Sequence, residues 1–356
     1  MELKQRKRTF GGFVFALLAF IAAVALLTAY LALYLNPADH PVVMFFGLYF
    51  LPLILLNLLF LLIAIFRHPR ALLIPLLSLL PFLLLADRFV KFGRNEVEVE
   101  SAPVKILTYN LGRYSAGGRH ISPEQAMAGI RKVLTEQDAD IVCLQEVAVT
   151  DTNELRSCLP GYPFQARHLF PGKRWFGNVT LSRFPIVDES SLTFPESRNL
   201  SLVTDIDARG RIIRVYNCHL ESYSISFTSL VKRLFNKETF TDEVIQVHGR
   251  LREATRRRSA QVAALLESEA HSAYPAFLCG DFNDSPLSYT YQQLTRTQKD
   301  SYVEAGSGMG GSYVMLWPLL RIDYILLPQD YTAADHQTLR VRWSDHYPVM
   351  TNIYFE

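Results

Sequence analysis

The chain has 356 residues, 49% of them hydrophobic, and a formal net charge of +2. Apolar residues crowd into residues 1–100, which hold 9 of the 36 basic and 6 of the 34 acidic residues, so the remainder is close to neutral with 27 against 28. A near-neutral domain lacks the basic footprint of a duplex-binding protein, and the spacing of Cys143, Cys158, Cys218 and Cys279 matches no zinc pattern.

Lys4, Arg6, Lys7 and Arg8 precede an apolar run from about residue 11 to 35. That exceeds the roughly 20 residues needed to cross a bilayer and the roughly 7–15 of a cleaved signal core. Further runs cover about 42–66 and 71–90, the last interrupted by Pro75 and Pro81, which membrane helices tolerate. Three transmembrane helices are expected within a membrane region spanning 1–95. The positive-inside bias puts the N-terminus and the Arg67–Arg70 link in the cytoplasm and the Asn36–His40 link outside. Three crossings then place the rest of the chain outside, through a linker at 96–103 to a domain over 104–356.

In that domain Val104–Asn110 alternates like a strand and ends in an amide. Ser122-Pro-Glu-Gln125 opens a helix with a capping box and a first-turn proline, and Ala126, Ile130, Val133 and Leu134 give it one apolar face. Asp140–Glu146 is the next strand, ending in a carboxylate. Trp175–Ser182, carrying Asn178, is another. Leu200–Ile206 and Ile212–Asn217 pair as a hairpin through Asp207–Gly210, and the second leads into His219. A long helix covers about 242–270, with Val262, Leu265 and Leu266 facing inward. Ala276–Asp281 reads as a buried strand running through Gly280 into a tight turn with Asn283. Arg321–Leu327 carries Asp323, and the chain closes with Ser344-Asp345-His346 and a strand to Phe355. Many strands with two principal helices suggest a two-sheet sandwich covered by helices. Three of the cysteines sit in apolar strands and read as core packing, with a cross-strand disulfide left open for an oxidising compartment.

A polar group at the end of a buried strand is costly unless a metal, a proton or hydrogen-bond donors compensate it. Here the feature repeats: Asn110, Gln145-Glu146, Asn217-x-His219, Gly280-Asp281-x-Asn283, Asp323 and Ser344-Asp345-His346. In that order the set resembles the endonuclease/exonuclease/phosphatase superfamily, which includes deoxyribonuclease I, exonuclease III-like enzymes, neutral sphingomyelinases and inositol polyphosphate 5-phosphatases. The resemblance covers about residues 104–355 and leaves out the N-terminal region. It implies a four-layer α/β/β/α sandwich and a Mg²⁺-dependent phosphoesterase, with Mn²⁺ able to substitute. It implies Glu146 as principal metal ligand, with Asn110 and Asp345 beside it. His346 becomes a general base or phosphate-facing group oriented by Asp323, and His219 a donor to a phosphate oxygen or the leaving group. Asp281 would orient the attacking water or take its proton, which leaves the base divided between His346 and Asp281. Asn283 would bind a non-bridging oxygen. Asn178 reads either as pocket-lining or as an ordinary strand-edge polar residue.

Tethering an enzyme to a bilayer raises its effective concentration toward membrane-borne substrates. The expected activity is therefore hydrolysis of a phosphodiester or phosphomonoester, of a lipid headgroup or related small molecule, outside the cytoplasm. An extracytoplasmic nuclease acting on nucleic acid is the alternative, and a catalytically inactive membrane scaffold the third reading. Leu230–Phe235 mixes basic and apolar residues, and Arg250, Arg252 and Arg256–Arg258 follow. Both a surface for anionic lipid headgroups and a solvated helix face fit that pattern. Substrate choice is expected to reside in loops at 113–121, 165–175, 222–240 and 304–318.

Overall fold

A computed structural model describes residues 10–93, 102–114, 121–151, 161–195, 197–223 and 240–355. The N-terminal basic cluster, most of the 96–103 linker, Cys158 and Leu230–Phe235 lie outside the described residues. The chain divides into two units. One runs to Asp87 and takes in Leu287–Gln292; the other holds Arg88–Pro286 and Gln293 onward.

The first unit contains α1 (Phe10–Leu31), α2 (Pro41–Leu48), α3 (Phe50–Arg67) and α4 (Leu73–Leu83). α1 and α3 are long and apolar enough to cross a membrane. Ala19, Ala22, Ala23 and Ala29 of α1 are buried, while Phe13, Leu17, Phe20 and Ile21 face outward; small side chains let helix backbones approach closely. Asn57 of α3 is fully buried and ties three helices together. Its Nδ2 donates to Ala22 O (3.0 Å), its Oδ1 accepts from Ser78 Oγ (3.0 Å), and Tyr30 donates to Ser78 O (3.2 Å). The expected spans need correction in two places. The 42–66 run breaks at Tyr49, between α2 and α3. The 71–90 run is not one helix: α4 has 11 residues, a rise of about 16 Å against a hydrocarbon core of about 30 Å. Pro69 starts a separate 3₁₀ turn before it, and Asp87 and Arg88 lie in another after it.

The second unit starts with β1 (Val90–Lys91), β2 (Val104–Asn110), α5 (Pro123–Gln137), β3 (Ile141–Val149), β4 (Phe164–Phe170), β5 (Trp175–Ser182), β6 (Ile186–Thr193), β7 (Leu200–Ala208) and β8 (Arg211–His219). It continues with α6 (Phe240–Ala270), β9 (Ala276–Asp281), β10 (Gln298–Asp300), β11 (Gly308–Met309), β12 (Asp323–Pro328), β13 (Tyr331–Thr338) and β14 (Val349–Phe355). Two six-stranded sheets form, in the orders β13-β14-β2-β3-β5-β4 and β10-β12-β9-β8-β7-β6. Val104, Ile106, Ile141, Cys143 and Ile353 of the first sheet meet Ile213, Val215, Phe277, Cys279 and Ile325 of the second in one buried core. Ala126, Ile130 and Leu134 of α5 pack with Leu107, Val142, Leu144 and Val179 on the first sheet's other face. On α6, Val262 and Leu265 are buried, and Ser268 Oγ lies 3.0 Å from the Tyr216 hydroxyl of β8. The order helix, sheet, sheet, helix is the expected four-layer sandwich.

The local signals act as read. Ser122 caps α5 with the reciprocal Gln125 bond, and Arg209 and Gly210, both at positive φ, make the two-residue β7–β8 turn. Of the stretch 165–175 expected as a loop, residues 165–170 lie instead in strand β4. The short β1 pairs with β11, and Arg321 and Tyr302 donate to the carbonyls of Arg88 (3.0 Å) and Phe89 (2.8 Å). The strand that follows the helical region is thus bonded into the second unit. Cys143, Cys218 and Cys279 are buried and free, so among the described residues there is no disulfide.

Candidate active site

Strand direction explains why the polar ends converge. β2 and β3 are parallel and joined through α5; β8 and β9 are parallel and joined through α6. Each such unit delivers two carboxyl ends to the same edge of its sheet. β12 and β14 run antiparallel to β9 and β2, so their starts, with Asp323 and the Ser344–His346 turn, lie at that edge too. The register is sharp: His219 pairs with Asp281 and Asp281 with Asp323, so the three lie abreast on neighbouring strands. On the facing sheet Asn110 lies beside Gln145.

Side chains close the gap between the sheets. Asn110 Nδ2 donates to Asp281 Oδ2 at 2.7 Å. Asp281 also accepts the Asn283 backbone N–H at Oδ1 (2.8 Å) and the Asn283 amide at Oδ2 (3.2 Å). His346 Nδ1 lies 2.9 Å from Asp323 Oδ2, and its Nε2 is 3.8 Å from Asp281 Oδ2. Tyr313 packs edge-on against the imidazole, with centroids 5.3 Å apart. Ser344 Oγ donates to Asn110 O (2.7 Å) and accepts the His346 N–H (3.2 Å), and Ser312 Oγ accepts the N–H groups of Ile322 and Asp323.

Glu146 departs from expectation in an informative way. β3 does not end there but continues to Val149. Glu146 sits at φ 52°, where the β3–β5 register shifts between Leu144 and Val147. Such a bulge re-aims one side chain out of the alternation. Its carboxylate lies 3.5 Å from His219 Nε2 and 3.3 Å from Arg113 Nε. Gly280 is required at φ 142°, since a Cβ there would lie 2.0 Å from the Cys218 carbonyl oxygen.

The buried charges bias one another. Burial pushes Asp281 up to about 6; Asp323 adds to the rise, while His346, His219 and the Asn283 N–H oppose it. Burial disfavours a charged His346, but Asp323, Asp281, the Asp323 hydrogen bond and Asp345 outweigh it and raise the imidazole to about 10. Asp345 is raised by burial and by Glu146, against the pull of His346.

Two groups of donors could hold a cation. Asp281, Asp323 and His346 offer ligand atoms all within 4.8 Å of one another, but His346 Nδ1 is already committed to Asp323. Glu146 and Asp345 fit a hard dication better, being two carboxylates near enough for one to disfavour the other's ionisation. Asn110 is tied to the same corner. Its Oδ1 accepts the Gly112 N–H (2.9 Å), and Gly112 lies so close to Asp345 that a Cβ would be 2.1 Å from Oδ1. Oxygen-rich donor sets of this kind suit Mg²⁺.

Asn178 stands apart from this cluster. Its amide is spent between the sheets, on Asn217 O (2.9 Å) and Leu200 O (3.4 Å). Asn283 likewise gives its amide to Leu220 O (2.9 Å) as well as to Asp281. Gln145 and Asn217 form a buried cross-sheet bond (2.8 Å) that holds the two polar ends in register. Arg258, expected on a charged helix face, is fully buried. It binds Asp284 Oδ2 (2.9 Å), Glu221 O (2.8 Å) and the Tyr223 hydroxyl (3.1 Å). Arg113, Ser312 and Tyr313 lie beside the cluster and fall in the 113–121 and 304–318 stretches expected to carry substrate choice, though no periodicity singled them out.

Two facing sheets with amide, carboxylate and imidazole groups gathered at one edge define the class of sandwich hydrolases that cleave phosphoester bonds. The chain belongs to the Endonuclease/Exonuclease/phosphatase family, whose sequence profile matches residues 107–346. Residues 12–89 match a second family, described as a domain of unknown function (DUF8431). The uncharacterized protein YbhP of Escherichia coli K12 is 26% identical over 274 residues, covering 70% of this chain and 96% of that protein. Among solved structures, the human Nocturnin catalytic domain with bound sulfate has a TM-score of 0.54 at 17% identity, covering 74% of this chain and 98% of that one. The mannosyl-6-phosphatase Bt3783 of Bacteroides thetaiotaomicron has a TM-score of 0.52 at 19% identity, covering 71% and 100%. At these identities the likeness supports the fold.

Proposed function

We propose that the protein is a membrane-anchored, Mg²⁺-dependent phosphoesterase that hydrolyses a lipid headgroup or a related small phosphoester outside the cytoplasm. The observation that carries this reading is the bond between Asn110 and Asp281. It joins the two sheets at the point where Glu146, His219, Asp323, Asp345 and His346 also gather. Anchoring rests on the length and apolarity of α1 and α3. The side on which the domain lies depends on whether the 71–90 stretch, whose helix α4 rises only about 16 Å, counts as a passage.

Glu146, Asn110 and Asp345 would hold Mg²⁺, which supplies charge neutralisation to the phosphate. His346, flanked by Asp323 and Asp281, stays protonated and presents Nε2–H to a phosphate oxygen. That leaves Asp281 to take the water's proton, held in place by Asn110 and by the Asn283 N–H. His219, beside Glu146, donates to the leaving oxygen. Asn283 acts by orienting Asp281, both of its amide hydrogens being given to Leu220 O and Asp281 Oδ2, and Asn178 acts through Asn217. The Tyr313 ring shields His346 from water.

The test uses the full chain in phospholipid vesicles with Mg²⁺, following release of phosphorylated or dephosphorylated headgroup. Glu146→Ala and His346→Ala should each abolish turnover, and a chelator should do the same. Undiminished rates in both variants would end this reading. Plasmid nicking without headgroup release would favour the nuclease alternative. Accessibility of single introduced cysteines to an impermeant label would fix the side on which the domain lies.

A further inference from the structure

Gly112, Arg113 and Tyr114 adopt left-handed backbone angles in succession, with φ 51°, 52° and 65°. L-residues with a Cβ avoid that region, and arginine and tyrosine do so more than asparagine or glycine. The turn is held rather than loose. Asn110 Oδ1 accepts the Gly112 N–H at 2.9 Å, Leu111 O accepts the Tyr114 N–H at 2.7 Å, and the Asp345 carboxylate fills the space a Cβ would need at Gly112.

The effect is to turn Arg113 back over the site. Its Nε is 3.3 Å from Glu146 Oε2, and its guanidinium lies 4.3 Å over the Phe176 ring. Even so, the side chain is 66% exposed. An ion pair that open to water contributes little to stability, so it does not account for the disfavoured backbone angle at Arg113, whereas Tyr114 is buried in the core. Backbone strain held in place by its surroundings clusters at ligand-binding and active-site positions. A planar guanidinium, fixed face-on by an aromatic ring with its edge open to solvent, matches the geometry of phosphate oxygens.

We propose that Arg113 is a substrate-binding residue that takes a non-bridging oxygen of the phosphate group, with Phe176 setting the plane of the guanidinium. This rests on the phosphoesterase reading and adds to it a fixed positive charge supplied by the protein itself.

The test compares full-length wild type, R113Q, R113K and R113G in detergent. Affinity for inorganic phosphate is measured by calorimetry with Mg²⁺ present. KM and kcat are measured on p-nitrophenyl phosphate and its bis ester, and Tm is recorded for each variant. R113Q should weaken phosphate binding and raise KM by about 10- to 100-fold, the range for losing a charge-assisted hydrogen bond, with a smaller fall in kcat. R113K should recover part of the loss. R113G should bind phosphate as weakly as R113Q while melting at or above the wild-type temperature, because glycine accepts the left-handed angle. A purely structural arginine would give the reverse: phosphate affinity unchanged and a lower Tm in R113G. That result overturns the proposal. Wild-type protein that binds phosphate but cleaves neither ester would refute the hydrolase reading, and the binding measurements alone would then decide the role of Arg113.

Discussion

Arg258 offers the sharpest test of how the site is held. It projects from α6 into the loops after β8 and β9, where Glu221 follows His219 by two residues and Asp284 directly follows Asn283. Its side chain is 0% exposed and that of Asp284 11%. Replacing Arg258 with Met keeps much of the volume but strands a buried carboxylate and leaves the Glu221 carbonyl and Tyr223 hydroxyl without this donor. Breaking one side of a buried pair costs about 3–5 kcal/mol. Arg258 Nη2 already lacks an acceptor among the described residues, a burden of about 1–3 kcal/mol that the substitution removes, so the lower end of the range is expected. For a domain of this size, about 3 kcal/mol lowers Tm by roughly 6–12 °C. The assay is a fluorescence-monitored melt of the full chain, alongside the double variant R258M/D284L. Making both positions apolar should restore most of the lost stability, because the stranded charge is gone. Turnover should stay low in both, because the loops carrying His219 and Asn283 have lost their common anchor. An R258M protein melting within about 2 °C of wild type would refute the reasoning, as would a double variant no more stable than R258M.

Asp323→Asn should lower Tm, since it takes one carboxylate from a buried charged His346, and lower kcat by roughly 10²- to 10⁴-fold, the scale seen when an orienting carboxylate behind a catalytic histidine is neutralised. It should also bring the alkaline limb of the pH profile to lower pH, since Asp323 helps raise His346; wild-type kcat would exclude that role for Asp323. His336 gives a pH prediction away from the candidate metal ligands. It is buried against Ser301 and Tyr302. Burial lowers it from 6.5 to about 3, with Asp300 pulling upward and Arg321 adding to the fall. The unfolded chain binds this proton below about pH 6.5 and the folded chain does not. Stability is therefore full above that pH and drains toward pH 3, at up to about 1.4 kcal/mol per unit. His336→Gln should flatten this part of the slope between pH 7 and 5, and denaturation curves with equal slopes would exclude it.

The sequence was most legible in the middle of each sheet. β2, β3, β5, β7, β8, β9, β12 and β14 are flanked by strands on both sides, and each reads as an apolar or alternating run. In the two six-stranded sheets the strands that escaped are β4, β6, β10 and β13, their edges; the two-residue β1 and β11 escaped as well. An edge strand has one side free of pairing and carries polar residues that keep it from recruiting a neighbour. β6, with Asp188, Glu189, Ser190 and Ser191, looks like a loop for that reason. The ordered polar motifs located the site because parallel strands deliver their ends to one edge. The φ at Glu146 and the turn at Arg113 were hidden, since neither has a periodic signature. Arg258 misled in the opposite direction: three consecutive arginines look solvated, yet one helical turn points them in different directions.

The pairing of β1 with β11 bears on how this protein can be cut for study. Starting a soluble fragment at Val104, the first core strand, would discard residues 88–91 and with them the carbonyl that receives Arg321 and one of two that receive Tyr302. Arg321 lies two positions before Asp323, so the damage would reach the candidate site from behind. The natural starting point for such a fragment is Arg88, immediately after the helical region ends.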